Sequence, residues 1–148
     1  MTWLSAIRIY LLWITVVNLI WEFSHVPLYT IWTEGTVASI VFAVVHCTGG
    51  DVLIGGSSLL AALMISGSSR WPLQRHWPVA ALTVAVGLAY TVFSEWLNTT
   101  VRGTWAYSEL MPILPGTGIG LSPIAQWLVI PLTAFWWLSK KGQFSNNE

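Results

Sequence analysis

Charge is scarce in this sequence. Six of its 148 residues are Lys or Arg and six are Asp or Glu, 8% in all, where an ordinary soluble domain carries about 25%. That scarcity excludes a soluble globular surface, and with 55% hydrophobic residues it points to a protein whose partner is the lipid bilayer. A formal net charge of zero leaves no basic patch for nucleic acid. Cysteine is nearly absent: Cys47 stands alone, so no intrachain disulfide forms and nothing can be read about redox compartment. No small-residue cleavage site follows the first apolar run, which is therefore expected to stay as a span. Histidine occurs three times, which restricts metal and haem chemistry. Tryptophan is plentiful instead, with 11 copies, and membrane proteins concentrate it at the two water interfaces.

A helix needs about 20 apolar residues to cross the hydrocarbon core. Four segments meet that need, 9–29, 46–66, 79–98 and 122–138, and predict an all-α, integral membrane four-helix bundle in one domain. The apolar run 37–66 would be about 45 Å long as one straight helix, more than a core of about 30 Å. Its crossing part is therefore set at 46–66, with a kink or bulge expected at Gly49-Gly50. Residues 37–45 either continue that helix or form a separate re-entrant piece. Pro and Gly mixed with aromatic residues over 99–121 predict an ordered loop folded over the helix ends, and 142–148 reads as a flexible tail. Four spans put both termini on one side. Arg8, Arg70, Arg75, Lys140 and Lys141 share that side while Arg102 is alone on the other, which predicts cytoplasmic termini and an outer loop at 99–121.

Ionisable residues within hydrocarbon are costly and mark functional sites by default. Glu22 and His25 lie in the outer half of the first span, His46 and Asp51 in that of the second, and Glu95 and Asn98 in that of the third. The inner half of every span has none. On a helix, residues three apart lie about 60° from one another, so Glu22 and His25 share a face, as do Glu95 and Asn98. His46 and Asp51, about 140° apart, share one only if the helix bulges at Gly49-Gly50. Arg102, one turn beyond Asn98, is expected to turn inward and pair with Glu22, Glu95 or Asp51.

Three chemistries fit this set. Glu-x-x-His on a helix is a building block of carboxylate-bridged metal centres in four-helix bundles. Glu22, His25, His46, Asp51 and Glu95 would make a mixed N/O ligand set for Fe, Mn or Zn, although full di-metal bundles carry two copies of the motif and this chain has one. Haem between His25 and His46 ranks behind, because His76 lies in a cytoplasmic loop and no ligands remain for a second haem. The second chemistry is acid–base catalysis on a lipid-soluble, apolar small molecule, with Glu22 and Glu95 as catalytic carboxyls and Trp21, Phe23, Trp96 and Trp105 as an apolar wall. Helix-bundle sterol and isoprenoid isomerases work along such lines, though no motif here identifies one. The third is transport or a non-enzymatic membrane subunit; an apolar inner half gives no complete path unless copies join in a homo-oligomer. Against all three stands structural glue, in which polar groups merely tie helices together at about 0.6 kcal/mol per contact. Gly55-Gly56-Ser57-Ser58 reads as a helix-packing face, and Gly116-x-Gly118-x-Gly120 as a turn, since no dinucleotide fold follows it.

The run Ser94-Glu95-Trp96-Leu97-Asn98, with Arg102-Gly103-Thr104-Trp105-Ala106-Tyr107, Met111-Pro112, Gly118-Ile119-Gly120-Leu121-Ser122-Pro123 and Gln126-Trp127, resembles a family of small, uncharacterised bacterial four-span inner-membrane proteins. The resemblance covers most of the second half of the chain. It implies a multi-pass protein of the bacterial plasma membrane and carries over no activity and no catalytic residues.

Overall fold

The computed structural model describes residues 1–144, and they are mostly helical. Helix α1 spans Trp3–His25 and runs into a single 3-10 turn, Val26–Leu28. A short α2 (Ile31–Glu34) leads to α3 (Val37–Ser66), then α4 (His76–Trp96), which unwinds into a π-helical turn, Leu97–Val101. Two-residue strands β1 (Ile113–Leu114) and β2 (Ile119–Gly120) form a small hairpin before α5 (Leu121–Phe144). The four long helices are apolar and long enough to cross a membrane. They pack in a ring, α1 against α3 and α5, and α4 against α3 and α5. Of the tail expected over 142–148, residues 142–144 continue α5 and 145–148 lie outside the described residues.

Local chemistry sets the helix starts. Thr2 Oγ1 accepts from Ser5 N at 3.3 Å and Thr36 Oγ1 from Ser39 N at 3.2 Å, each satisfying a backbone donor that the first turn leaves orphaned. The cap at Thr36 begins α3 at Val37, nine residues before the start expected for the second span. The helix then runs unbroken through Gly49 and Gly50. There is no re-entrant piece and no bulge at the glycines; the π turn lies at Leu97–Val101 instead.

One rule of depth organises the interior. On α1 the buried stripe is Ala6, Tyr10, Ile14, Asn18, Glu22 and His25, so the same face changes from apolar to polar halfway along. At the end of the bundle that holds the termini, Ala6, Tyr10 and Ile14 pack with Leu59 of α3, Ala80 of α4 and Phe135 of α5 in a hydrophobic core. Gly55 and Gly87 permit close approach of the helices: a methyl at Gly55 would come within 3.1 Å of Ile14, and one at Gly87 would overlap the Trp127 ring.

The opposite end is roofed. Ser108 N donates to Leu28 O at 2.9 Å and Thr30 N to Ala106 O at 3.0 Å, pairing the segment around Tyr107 with the one around Tyr29. The hairpin turn uses Gly116 and Gly118 at φ 78° and 72°, a region open to glycine at little cost. Met111 and Ile119 are buried beneath it. The loop over 99–121 is thus an ordered cap.

Candidate functional site

Beneath the roof lies a cavity of about 430 Å³ whose walls come from all four long helices and the roof loop. Glu22 and His25 reach it from α1, Asp51 from α3, Glu95 from α4 and Gln126 from α5. All five are buried, none more than 9% exposed. Nothing in hydrocarbon would satisfy these groups, so they must answer one another.

The centre of that arrangement is the Gln126 side chain. Its amide nitrogen lies 2.8 Å from Asn18 Oδ1, 3.0 Å from Glu22 Oε1 and 3.0 Å from Asp51 Oδ2. The Asn18 oxygen faces it because the Asn18 nitrogen donates to Ile14 O at 2.8 Å. An amide nitrogen carries two hydrogens, so three acceptors exceed its supply. Three acceptors therefore share two hydrogens, and a proton held between Glu22 and Asp51 would relieve the shortage by letting one carboxyl answer the other. Both carboxyls meet one nitrogen, and Asp51 also lies beside Glu22 directly.

A second chain of contacts orients Glu22 from the other side. Trp21 Nε1 donates to Ser122 Oγ at 3.3 Å, Ser122 Oγ lies 2.9 Å from His25 Nδ1, and His25 Nε2 lies 3.1 Å from Glu22 Oε2. With the indole donating to the serine oxygen, the serine hydroxyl is free to donate to Nδ1, which assigns the imidazole hydrogen to Nε2, facing the carboxylate. Glu95 stands apart from this pair. Tyr107 of the roof donates its hydroxyl to Glu95 Oε2, and Trp105 turns its indole nitrogen toward the same carboxyl without closing a hydrogen bond. Burial and the neighbouring Glu95 push the Tyr107 phenol well above its ordinary range, and burial does the same for Tyr29. Both stay protonated, and Tyr107 remains a donor.

The residues expected from the sequence divide here. Glu22, His25, Asp51 and Glu95 come together inside. His46 lines the same cavity but is exposed at its rim, its ring stacked on Phe42 at 5.4 Å. The continuous helix keeps it off the face of Asp51. Asn98 holds the roof: it donates to Ser94 O at 2.9 Å and accepts from Thr104 Oγ1 at 2.9 Å. Arg102 does not turn inward; it is exposed at the rim, and the one carboxyl within 4.0 Å of a basic side chain among the described residues is Glu22, beside His25. Among the described residues no three His, Cys, Asp or Glu side chains are grouped to hold a metal ion. His25 and Glu22 direct their polar atoms at each other, at Ser122 and at Gln126.

Asn18, Ser122 and Tyr107 were not among the expected residues. Asn18 had a signal, since it precedes Glu22 by one helical turn on the same face. Tyr107 had none, because its meeting with Glu95 depends on the path of the roof. No protein-family model, curated protein or solved structure matches this chain.

Proposed function

We propose that the cavity is an acid–base site acting on a lipid-soluble substrate, in the half of the membrane opposite the termini. The observation that supports it is the placement of two carboxyls around one amide nitrogen whose hydrogens cannot satisfy them both together with Asn18. Carboxyl pairs that share a proton in a dry site are suited to giving and taking it. Glu22 and Asp51 together act as the general acid. Glu95, on another helix and oriented by Tyr107, acts as the base. His25 is a positioning residue that holds Glu22. A proton delivered to one carbon of an alkene, leaving the positive charge on its partner, and another removed from the allylic carbon next to that partner would shift the double bond by one position with no net redox change and no further reactant. The excess of Lys and Arg on the terminus side supports cytoplasmic termini and an outward-facing site.

The test uses purified protein reconstituted with total membrane lipids in D2O. One lipid class is expected to gain deuterium at carbon, detected by mass spectrometry. Asp51→Asn and Glu95→Gln should each lower the rate by about 100-fold or more in protein that still folds. Absence of any deuterium gain, or wild-type rates in both variants, would overturn the reading. Stoichiometric Fe, Mn or Zn in protein purified without chelator would replace it with a metal centre, for which Glu22, His25, His46, Asp51 and Glu95 are the candidate ligands.

A further inference from the structure

Glycines inside the long helices have two different surroundings. Gly55 and Gly87 lie where a side chain would press on a neighbouring helix, the usual reason for glycine in a membrane bundle. Gly49 and Gly50 do not: a Cβ added at either meets no atom within 4 Å. Helix-interior glycine costs about 1 kcal/mol relative to alanine, and no packing contact offsets that cost here. Gly50 lines the cavity, while its neighbour Gly49 faces outward and does not. Two further lining residues flank the same gap, Leu53 of α3 at 75% exposed and Tyr90 of α4 at 51%. Both lie within helices long and apolar enough to span the bilayer, so their exposed faces look into lipid.

Inside, the cavity has an unanswered group. Thr91 lines it and is 7% exposed, and its hydroxyl is buried with no hydrogen-bond partner. Acids also outnumber their partners. Glu22, Asp51 and Glu95 face one buried imidazole, His25, while His46 and Arg102 are exposed at the rim. Tyr29 and Trp127 complete the wall. Carboxylate with aromatic lining suits a positively charged head, and an ammonium has three hydrogens to give to the Thr91 oxygen and the Glu95 carboxylate.

We infer that the cavity opens sideways into the bilayer between α3 and α4, with Gly50 as its sill, and admits a single-chain amphiphile with a cationic amine head. The head lies among Glu95, Thr91 and the aromatic walls, and the tail leaves past Leu53 and Tyr90 into lipid. Binding of this kind needs no proton transfer, so it stands or falls separately from the acid–base reading.

The probe is dodecylamine, compared with dodecanol and dodecyl phosphate, on protein in phosphatidylcholine nanodiscs and read by native mass spectrometry. One dodecylamine per chain is expected, bound about tenfold or more tightly than either of the other two. Gly50→Phe fills the sill and should lower that affinity by a similar factor, whereas Gly49→Phe puts the same ring on the lipid face and should leave it unchanged. Gly50→Leu is the smaller plug if the Phe variant does not fold. Equal loss in the Gly49 and Gly50 variants, or none in either, would overturn the lateral opening. Equal or tighter binding of the alcohol or the phosphate would overturn the cationic head, and no stoichiometric binding of dodecylamine to the wild type would overturn both.

Discussion

At the scale of single residues, Gln126 is the side chain on which the site depends. Its amide nitrogen offers two hydrogens to Asn18, Glu22 and Asp51, and a buried acceptor left without its donor costs about 1–3 kcal/mol. Gln126→Leu is therefore expected to destabilise the fold by at least that much, measured by chemical unfolding in mixed micelles. Adding Asp51→Asn should recover part of the loss, because asparagine brings its own N–H groups to Glu22; an additive double variant would show that the three groups do not form one network. Tyr107 governs a different behaviour. Burial and Glu95 keep its phenol neutral in the fold, whereas in the unfolded chain it ionises near pH 10. The stability this contributes is whole below that pH and falls as pH rises above it, since the unfolded chain then loses a proton that the folded one keeps. Thermal unfolding from pH 8 to 11 should show that decline, and Tyr107→Phe should make it shallower, the part due to Tyr29 remaining, while lowering the plateau by the lost hydrogen bond to Glu95.

At the scale of elements, the two kinds of glycine predict opposite outcomes for one substitution. Gly87→Ala drives a methyl into the Trp127 ring, and overpacking of this sort costs about 1–3 kcal/mol. Gly49→Ala meets nothing and should stabilise α3 by up to about 1 kcal/mol through helix propensity. Unfolding of the two variants side by side checks both. The same elements show where sequence reasoning stopped. Glu22 and His25 were legible as one face because three residues apart on a helix is a local fact. His46 and Asp51 would share a face only if the helix bulged at Gly49-Gly50, and the helix is unbroken there. The irregular turn belongs to Leu97–Val101, where the chain leaves the bundle for the roof and Asn98 secures the new direction through Thr104.

At the scale of the whole molecule, the division of the bundle by depth matters most. One half is packed with Ala6, Tyr10, Ile14, Leu59 and Phe135; the other gathers acids, amides and imidazole around a cavity. Apolarity in long runs is a property of composition, so the four helices and the level of the polar residues along them could be read from the chain alone. Hydrocarbon gives a polar group no partner, and that by itself implied that Glu22, Asp51 and Glu95 would be turned inward. Which atom answers which was decided only in three dimensions, where Gln126 arrives from the last helix beside Asn18 and Glu22 of the first. So was the placement of Arg102 outside the site, and of Tyr107 inside it. Those outcomes depend on the rotation of each helix about its axis and on the course of the roof, which are set by packing between segments far apart in sequence and leave no trace in local spacing.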